Sequence, residues 1–240
     1  MDTIKINHGE NTQIIAHRGL SGIELENTAS AFVAAGNRSY YGIETDVHIT
    51  KDGGYVAFHD DRTGRVAIDD MIVEQSTFST LQKLVLADKD GKRGRNDLRI
   101  PSLMDYVRIC KKYDKYAVLE LKNAFKPEEI NEICEMIRAE DYFDRMIFIS
   151  FDLRNLVTLK ANYPDAVAQF LVDDYSDDLV KILTENDLDL DMDCNFVTKE
   201  IIDTLHANGR KLNCWTCNDK DMGDRLVDWG IDYITTNILE

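Results

Sequence analysis

Proline is scarce in this chain, three in 240 residues, and no proline-, glycine- or serine-rich stretch divides it. That lack of a linker predicts one domain over residues 1–240, a length that barrels of alternating strands and helices commonly reach. The five cysteines are odd in number and irregular in spacing. They argue against a disulfide framework and suit a reducing cytosol. No run approaches the roughly 20 apolar residues of a membrane span. The opening "MDTIKINHGENTQ" lacks the apolar core of a secretory signal, so a cytoplasmic protein is expected. Basic residues are outnumbered, 28 Lys and Arg against 44 Asp and Glu, for a formal charge of −16. Such a surface repels nucleic acid and anionic membranes, so a phosphate-bearing substrate must be held locally by a few placed cations or a metal. The lack of a basic, aromatic-interleaved groove likewise argues against a nuclease. There is no GxGxxG, no Walker loop and no GxSxG elbow, which argues against dinucleotide, nucleoside triphosphate and serine-hydrolase chemistry.

What is present is alternation. Strand-like runs occur as "QIIAHRG", "YGIETDVHIT", "GYVAFHD", "KYAVLELK", "RMIFISF", "AVAQFLV", "DLDLDMD", "KLNCWTC" and "DYITTN". Helical patterns lie between most of them: 28–37, 102–113, 127–140, 153–162, 177–186, 199–207 and 222–229. About eight such units predict an α/β fold closed as a (β/α)8, or TIM, barrel. The apolar content of 44% supplies a sizeable core. Nine strands are one too many. Only "KDGG" separates the second from the third, and a parallel crossover needs about a dozen residues. The sequence therefore predicts a β-hairpin at strand 2 with Asp52-Gly53 as its turn. Lys51 is then expected opposite Gly54, and Asp46 opposite His59. Glu44, Asp46 and His48 share one face of the strand, with Thr45, Val47 and Ile49 on the other.

In a parallel barrel, reactive groups gather at the C-terminal ends of strands. Here His17 and Arg18 end the first strand, Glu44 and Asp46 lie on the second, His59 and Asp60 end the third, and Glu120 and Lys122 end the fourth. Any one of these could be a charged residue at a surface loop, but the repetition is not explained that way. Three carboxylates, Glu44, Asp46 and Glu120, make a hard-oxygen site for one divalent cation, Mg2+ or Ca2+. Arg18 offers a planar fork to phosphate and Lys122 a point charge. His17 and His59 are candidates for proton transfer. Together these are the parts that phosphodiester cleavage needs.

Other features carry less. In "DLDLDMDCNFVT", Met192 and Thr198 stand where a calcium loop needs glycine and glutamate; the segment reads as a strand with one apolar face. Cys214 and Cys217 form a CxxC, but residues three apart on a strand point to opposite faces, which argues against redox or zinc chemistry. His48 is expected in a structural hydrogen bond rather than in the site.

The motifs "AHRG", "ENT", "ETDVHITKDGGYVAFHD", "IPSL", "LELK", "ISFD", "CWTCN" and "ITTN" run in order from about Gln13 to Asn237. In this the chain resembles the glycerophosphodiester phosphodiesterases, with their phosphatidylinositol-phospholipase-C-like barrel. The resemblance implies metal-dependent hydrolysis of deacylated phospholipids to glycerol 3-phosphate and an alcohol. By motif position it implies His17 and His59 as the acid/base pair, Glu44, Asp46 and Glu120 as metal ligands, Arg18 and Lys122 on phosphate, and Trp215 lining the pocket. Attack by water and attack by the glycerol 2-hydroxyl both place a histidine on each side of phosphorus. By resemblance to bacterial phosphatidylinositol phospholipases, His17 is expected as the base and His59 as the acid.

The chain departs from the family at Leu25, where the usual motif has proline, and in the compressed "DRTGRVAIDD". Both bear on substrate preference. Residues 61–101 are expected as an excursion over the site's mouth, containing the short helix "STLQKLVL". Its basic knot "KRGR" (Lys92 to Arg95) could meet a headgroup phosphate, although a solvated loop is the simpler expectation. A lysophospholipase D or sphingomyelinase-D-like enzyme is one alternative and would favour an apolar rim. A catalytically silent barrel that binds polyol phosphates or a protein is another and would favour loss of a ligand or histidine. A homodimer suits a barrel of this size.

Overall fold

A computed structural model describes residues 2–9 and 11–240. Among them, nine strands form one sheet: β1 (Gln13–Ala16), β2 (Gly42–Ile49), β3 (Tyr55–Ala57), β4 (Tyr116–Leu121), β5 (Met146–Ser150), β6 (Val167–Val172), β7 (Asp189–Asp193), β8 (Leu212–Trp215) and β9 (Tyr233–Thr236). All pair in parallel except β3, and pairing of β1 with both β9 and β2 closes an eight-stranded barrel. Each parallel return needs a crossover. Helices α1 (Ala29–Gly36), α3 (Leu103–Lys112), α4 (Pro127–Ala139), α5 (Leu153–Asn162), α6 (Leu179–Asn186), α7 (Lys199–Ala207) and α8 (Lys220–Trp229) supply them, with α2 (Phe78–Lys83) in the excursion. No helix of the described residues is long and apolar enough to cross a membrane.

Strand alternation sorts the apolar residues into two layers. Ile14, Ala16, Ile43, Val47, Leu119 and Leu121 face the helices in the main core. Ile15, Val118, Ile147, Ile149, Leu171 and Tyr233 form a separate cluster filling the lumen. Helix α3 shows how the outer layer is fixed. Ser102 and Asp105 close a capping box at its start, and Leu103, Tyr106, Val107 and Cys110 make its buried stripe. The Tyr106 hydroxyl then donates to the carbonyls of Ile43 at 2.7 Å and Val118 at 3.0 Å.

The hairpin forms in a register one residue from the expected one. Val47 faces Ala57, His48 faces Val56 and Ile49 faces Tyr55. Thr50 pairs with Gly54, leaving the three-residue loop Lys51-Asp52-Gly53. A two-residue type I′ turn needs positive φ at both central residues; only Gly53 has it, at 82°. Asp46 therefore bonds Phe58, through the Phe58 N–H at 3.0 Å, and not His59. The hairpin still serves the site. Strand β1 pairs with β2 at Gly42 and Ile43, and the same β2 edge beyond takes β3, which returns His59 to the barrel mouth.

Residues 61–101 form the expected excursion. It has its own small core, in which Val66, Val73, Leu81, Leu86, Leu98 and Ile100 pack with Leu25, Val56 and Phe58. Two of the knot's three cations are paired: Arg95 with Glu24, Asp88 and Asp97, and Lys92 with Asp90. Arg95 thus ties the excursion to the loop after β1. That loop turns on Arg18 and Gly19, with φ of 53° and 75°. A Cβ on Gly19 would sit 2.7 Å from the backbone of Ala31. Gly19→Ala is expected to cost roughly 1–3 kcal/mol of stability, checked by urea unfolding, and to displace Arg18.

Candidate active site

The pocket at the C-terminal mouth of the barrel is lined by His17, Arg18, Glu44, His59, Glu120, Lys122, Phe151, Asp191 and Trp215, among others. Glu44 and Asp46 point inward from β2 and Glu120 from β4. One oxygen from each lies within 4.8 Å of the others, close enough to hold a metal ion between them. All three are buried, at 2%, 1% and 7% exposure. Asp46 directly faces Glu120 across the β2–β4 ladder. The cations stand close by: Lys122 Nζ is 3.0 Å from Glu120 and 3.6 Å from Asp46, and Arg18 Nε is 3.5 Å from Asp46.

Such crowding has an electrostatic consequence. Burial first, and then the charge of Asp46, push the Glu120 carboxyl up to about 8 against the pull of Lys122. The same two causes raise Glu44 well above its ordinary value. Burial also pushes Asp46 upward, but Arg18, His59, Lys122 and the Asn27 amide outweigh it and hold it at about 2. Glu120 therefore keeps a proton near neutrality where a divalent cation could replace it, and Glu44 is pushed the same way. Asp46 Oδ1 is buried with no hydrogen-bond partner. An all-oxygen donor set with an orphaned carboxylate oxygen fits Mg2+ or Ca2+.

The histidines are oriented by different partners. His17 Nδ1 is 2.8 Å from Asn237 Oδ1, which also accepts the Ser21 hydroxyl at 2.7 Å. Since that oxygen can only accept, His17 carries its proton on Nδ1 and presents a bare Nε2, 4.0 Å from Glu44. Burial, followed by the Arg18 charge, lowers His17 to about 4. His59 Nδ1 is 2.6 Å from Asp60 Oδ1. His59 is also lowered, by burial first and by Arg18 and Lys122, despite the opposing charge of Asp46 and the Asp60 hydrogen bond. His48 stands outside the pocket, fully buried, with Nε2 3.2 Å from the His59 carbonyl oxygen; it braces the His59 backbone.

Residues outside the sequence-derived set complete the arrangement. Asn27 donates to Asp46 at 2.7 Å and accepts from Thr45 at 2.7 Å. Arg65, from the excursion, grips Asp60 at 2.7 and 3.1 Å and Glu26 at 2.7 and 3.0 Å. Glu26 in turn accepts from Arg18 at 2.8 Å. One guanidinium thus holds the carboxylates behind His59 and Arg18 together. Arg65→Ala is expected to lower kcat by about tenfold through lost positioning, with thermal stability changed little. Steady-state kinetics beside a melting curve checks this.

Residues 17–240 match the sequence profile of the glycerophosphoryl diester phosphodiesterase family. The chain belongs to this family. Among family relatives, a glycerophosphodiester phosphodiesterase of Caldanaerobacter subterraneus subsp. tengcongensis is 29% identical over 232 residues, covering 94% of each chain. One from Bacillus altitudinis is 27% identical over 235 residues, again 94% of each. Among solved structures, an Oleispira antarctica phosphodiesterase in complex with the product sn-glycerol-3-phosphate superposes with a TM-score of 0.81. It is 25% identical, with 94% of this chain and 92% of that one covered. A Silicibacter pomeroyi protein at 20% identity has a TM-score of 0.84, covers 95% and 90%, and shares the fold.

Within this family member, the expected separation of Cys214 from Cys217 needs correction. Strand β8 ends at Trp215, so alternation does not extend to Cys217. The Cys217 thiol instead donates to the Asp219 carbonyl oxygen at 3.8 Å, at the start of α8. Trp215 stands at the pocket wall, its ring edge-on to Phe151 at 5.5 Å.

Proposed function

We propose that the protein hydrolyses glycerophosphodiesters to glycerol 3-phosphate and an alcohol, with a divalent cation, Mg2+ or Ca2+, held by Glu44, Asp46 and Glu120. The observation carrying this reading is the approach of those three carboxylates to within 4.8 Å, in a mouth that also contains two histidines and two cations. The bound cation would polarise the phosphoryl group and offset charge on its oxygens. Arg18 and Lys122, which rest on the cluster's carboxylates, turn to the non-bridging oxygens and neutralise charge that grows in the transition state. His17, neutral and bare at Nε2, takes the proton of the attacking group, which is either water or the glycerol 2-hydroxyl; on the second route water then opens the cyclic phosphate to glycerol 3-phosphate. His59, backed by the Asp60 carboxylate, gives a proton to the leaving alkoxide. Trp215 and Phe151 wall the substrate.

A panel of ethanolamine, choline, glycerol and inositol glycerophosphodiesters, assayed by coupled detection of glycerol 3-phosphate, tests the reading. Turnover on at least one is expected when Mg2+ or Ca2+ is present. Release of headgroup from lysophospholipids alone would move the activity to the lipid substrates. Silence on every diester and lipid would favour a binding role.

A further inference from the structure

The wall facing the carboxylates also carries unsatisfied polar groups. Strand β7 lies four strands from β2 in either direction round the barrel, so Asp191 looks across the lumen at the cluster. Asp191 is 1% exposed, yet it lines the pocket with Glu44, Glu120 and both histidines. Asn213 holds one of its oxygens, donating to Oδ2 at 3.1 Å. That amide has nothing left to give: it also donates to Gln169 at 3.1 Å and accepts from Thr235 at 3.1 Å. Asp191 Oδ1 has no partner, and neither does the buried indole Nε1 of Trp215. The β7–β8 ladder pairs Asp191 with Asn213 and Asp193 with Trp215, which sets the indole one pleat closer to the mouth on the same face.

A buried acceptor without a donor and a buried donor without an acceptor each cost stability. In one pocket they suit a hydroxyl, which accepts from the indole and donates to the carboxyl oxygen. We propose that Asp191 and Trp215 form a subsite for a hydroxyl of the substrate's polyol and thereby set a preference for hydroxyl-bearing diesters. This wall lines the same pocket as Glu44, Glu120, Arg18 and Lys122, so a diester held by those groups meets it. The subsite rests on the phosphodiesterase reading but is separable from it. It also accounts for a carboxyl that the metal cluster does not use.

The test compares two diesters with the metal-loaded enzyme: glycerophosphoethanolamine, and bis(4-nitrophenyl) phosphate, which has no hydroxyl. The readout is the ratio of their kcat/KM values. Asp191→Leu is expected to lower that ratio by about tenfold or more, chiefly through KM for the glycerol diester. Asp191→Asn, which keeps an acceptor of the same shape, should restore most of it. Trp215→Phe, which keeps a ring but removes the N–H, should lower it by about threefold and remains informative if Asp191→Leu does not fold. An unchanged ratio in both Asp191→Leu and Trp215→Phe overturns the subsite while leaving the activity intact. Equal losses on the two diesters assign Asp191 to the lumen's internal packing and also overturn it. Failure of the wild-type enzyme on both diesters would remove the activity reading and the subsite together.

Discussion

Glu120→Gln is expected to abolish metal-dependent turnover, by about a thousandfold, the equivalent of ~4 kcal/mol of lost charge stabilisation. The same substitution is expected to make the metal-free protein less sensitive to alkali. Glu120 titrates at about 8 in the folded chain, up from an ordinary 4.5. Between those values the folded state keeps a proton that the unfolded state has released. The stabilisation is therefore full below about pH 4.5 and is lost as pH rises through 8. Glutamine carries no such proton, so the drop in melting temperature between pH 5 and pH 8, measured in chelator, should shrink. Added Mg2+ or Ca2+ should raise the wild-type melting temperature at pH 8 and leave the variant's nearly unmoved. A variant that binds the ion as tightly as wild type by calorimetry would exclude Glu120 as a ligand.

The second large effect is on the histidines. His59→Ala and His17→Ala are each expected to lower kcat by roughly 10²–10⁴, and the double variant by much less than the product because the pair acts as a unit. The pH profile distinguishes their roles. Burial holds both pKa values below the usual range in the free enzyme, with His17 at about 4. A neutral base then stays available well below pH 6. A proton-donating His59, in contrast, has to gain its proton beside the substrate's negative phosphodiester, which raises its pKa. The alkaline limb of kcat, which reports the complex, should lie at higher pH than that of kcat/KM, which reports free enzyme. Coincident limbs, or a His59→Ala variant with undiminished kcat, would remove His59 from proton transfer.

The barrel was legible in the sequence because a parallel sheet needs a crossover at every return, and "AVLEL", "MIFIS" and "AVAQFLV" each carry their strand in a few apolar residues between helical patterns. The positions of His17, Glu44, Asp46, His59, Glu120 and Lys122 were legible for the same reason: all lie on, or at the end of, inward-facing strands at one rim. The hairpin's register was not, since Asp52-Gly53 suits both a two-residue and a three-residue loop, and only the φ of Asp52 separates them. Long-range polar pairs left no local trace either. Asn237 meets His17 from 220 residues away, and Arg65 reaches Glu26 from 39. Asp191 was visible as one tooth of an alternating strand, but alternation alone does not say which face of that strand turns into the lumen.

The most direct measurement is glycerol 3-phosphate release by metal-stripped protein acting on glycerophosphoethanolamine, before and after Mg2+ or Ca2+ is returned, with Glu44→Ala and His59→Ala alongside. The expected result is turnover restored by one of the ions and lost in both variants. Turnover that persists without any ion, or that survives in Glu44→Ala, would contradict a reaction built on the three carboxylates.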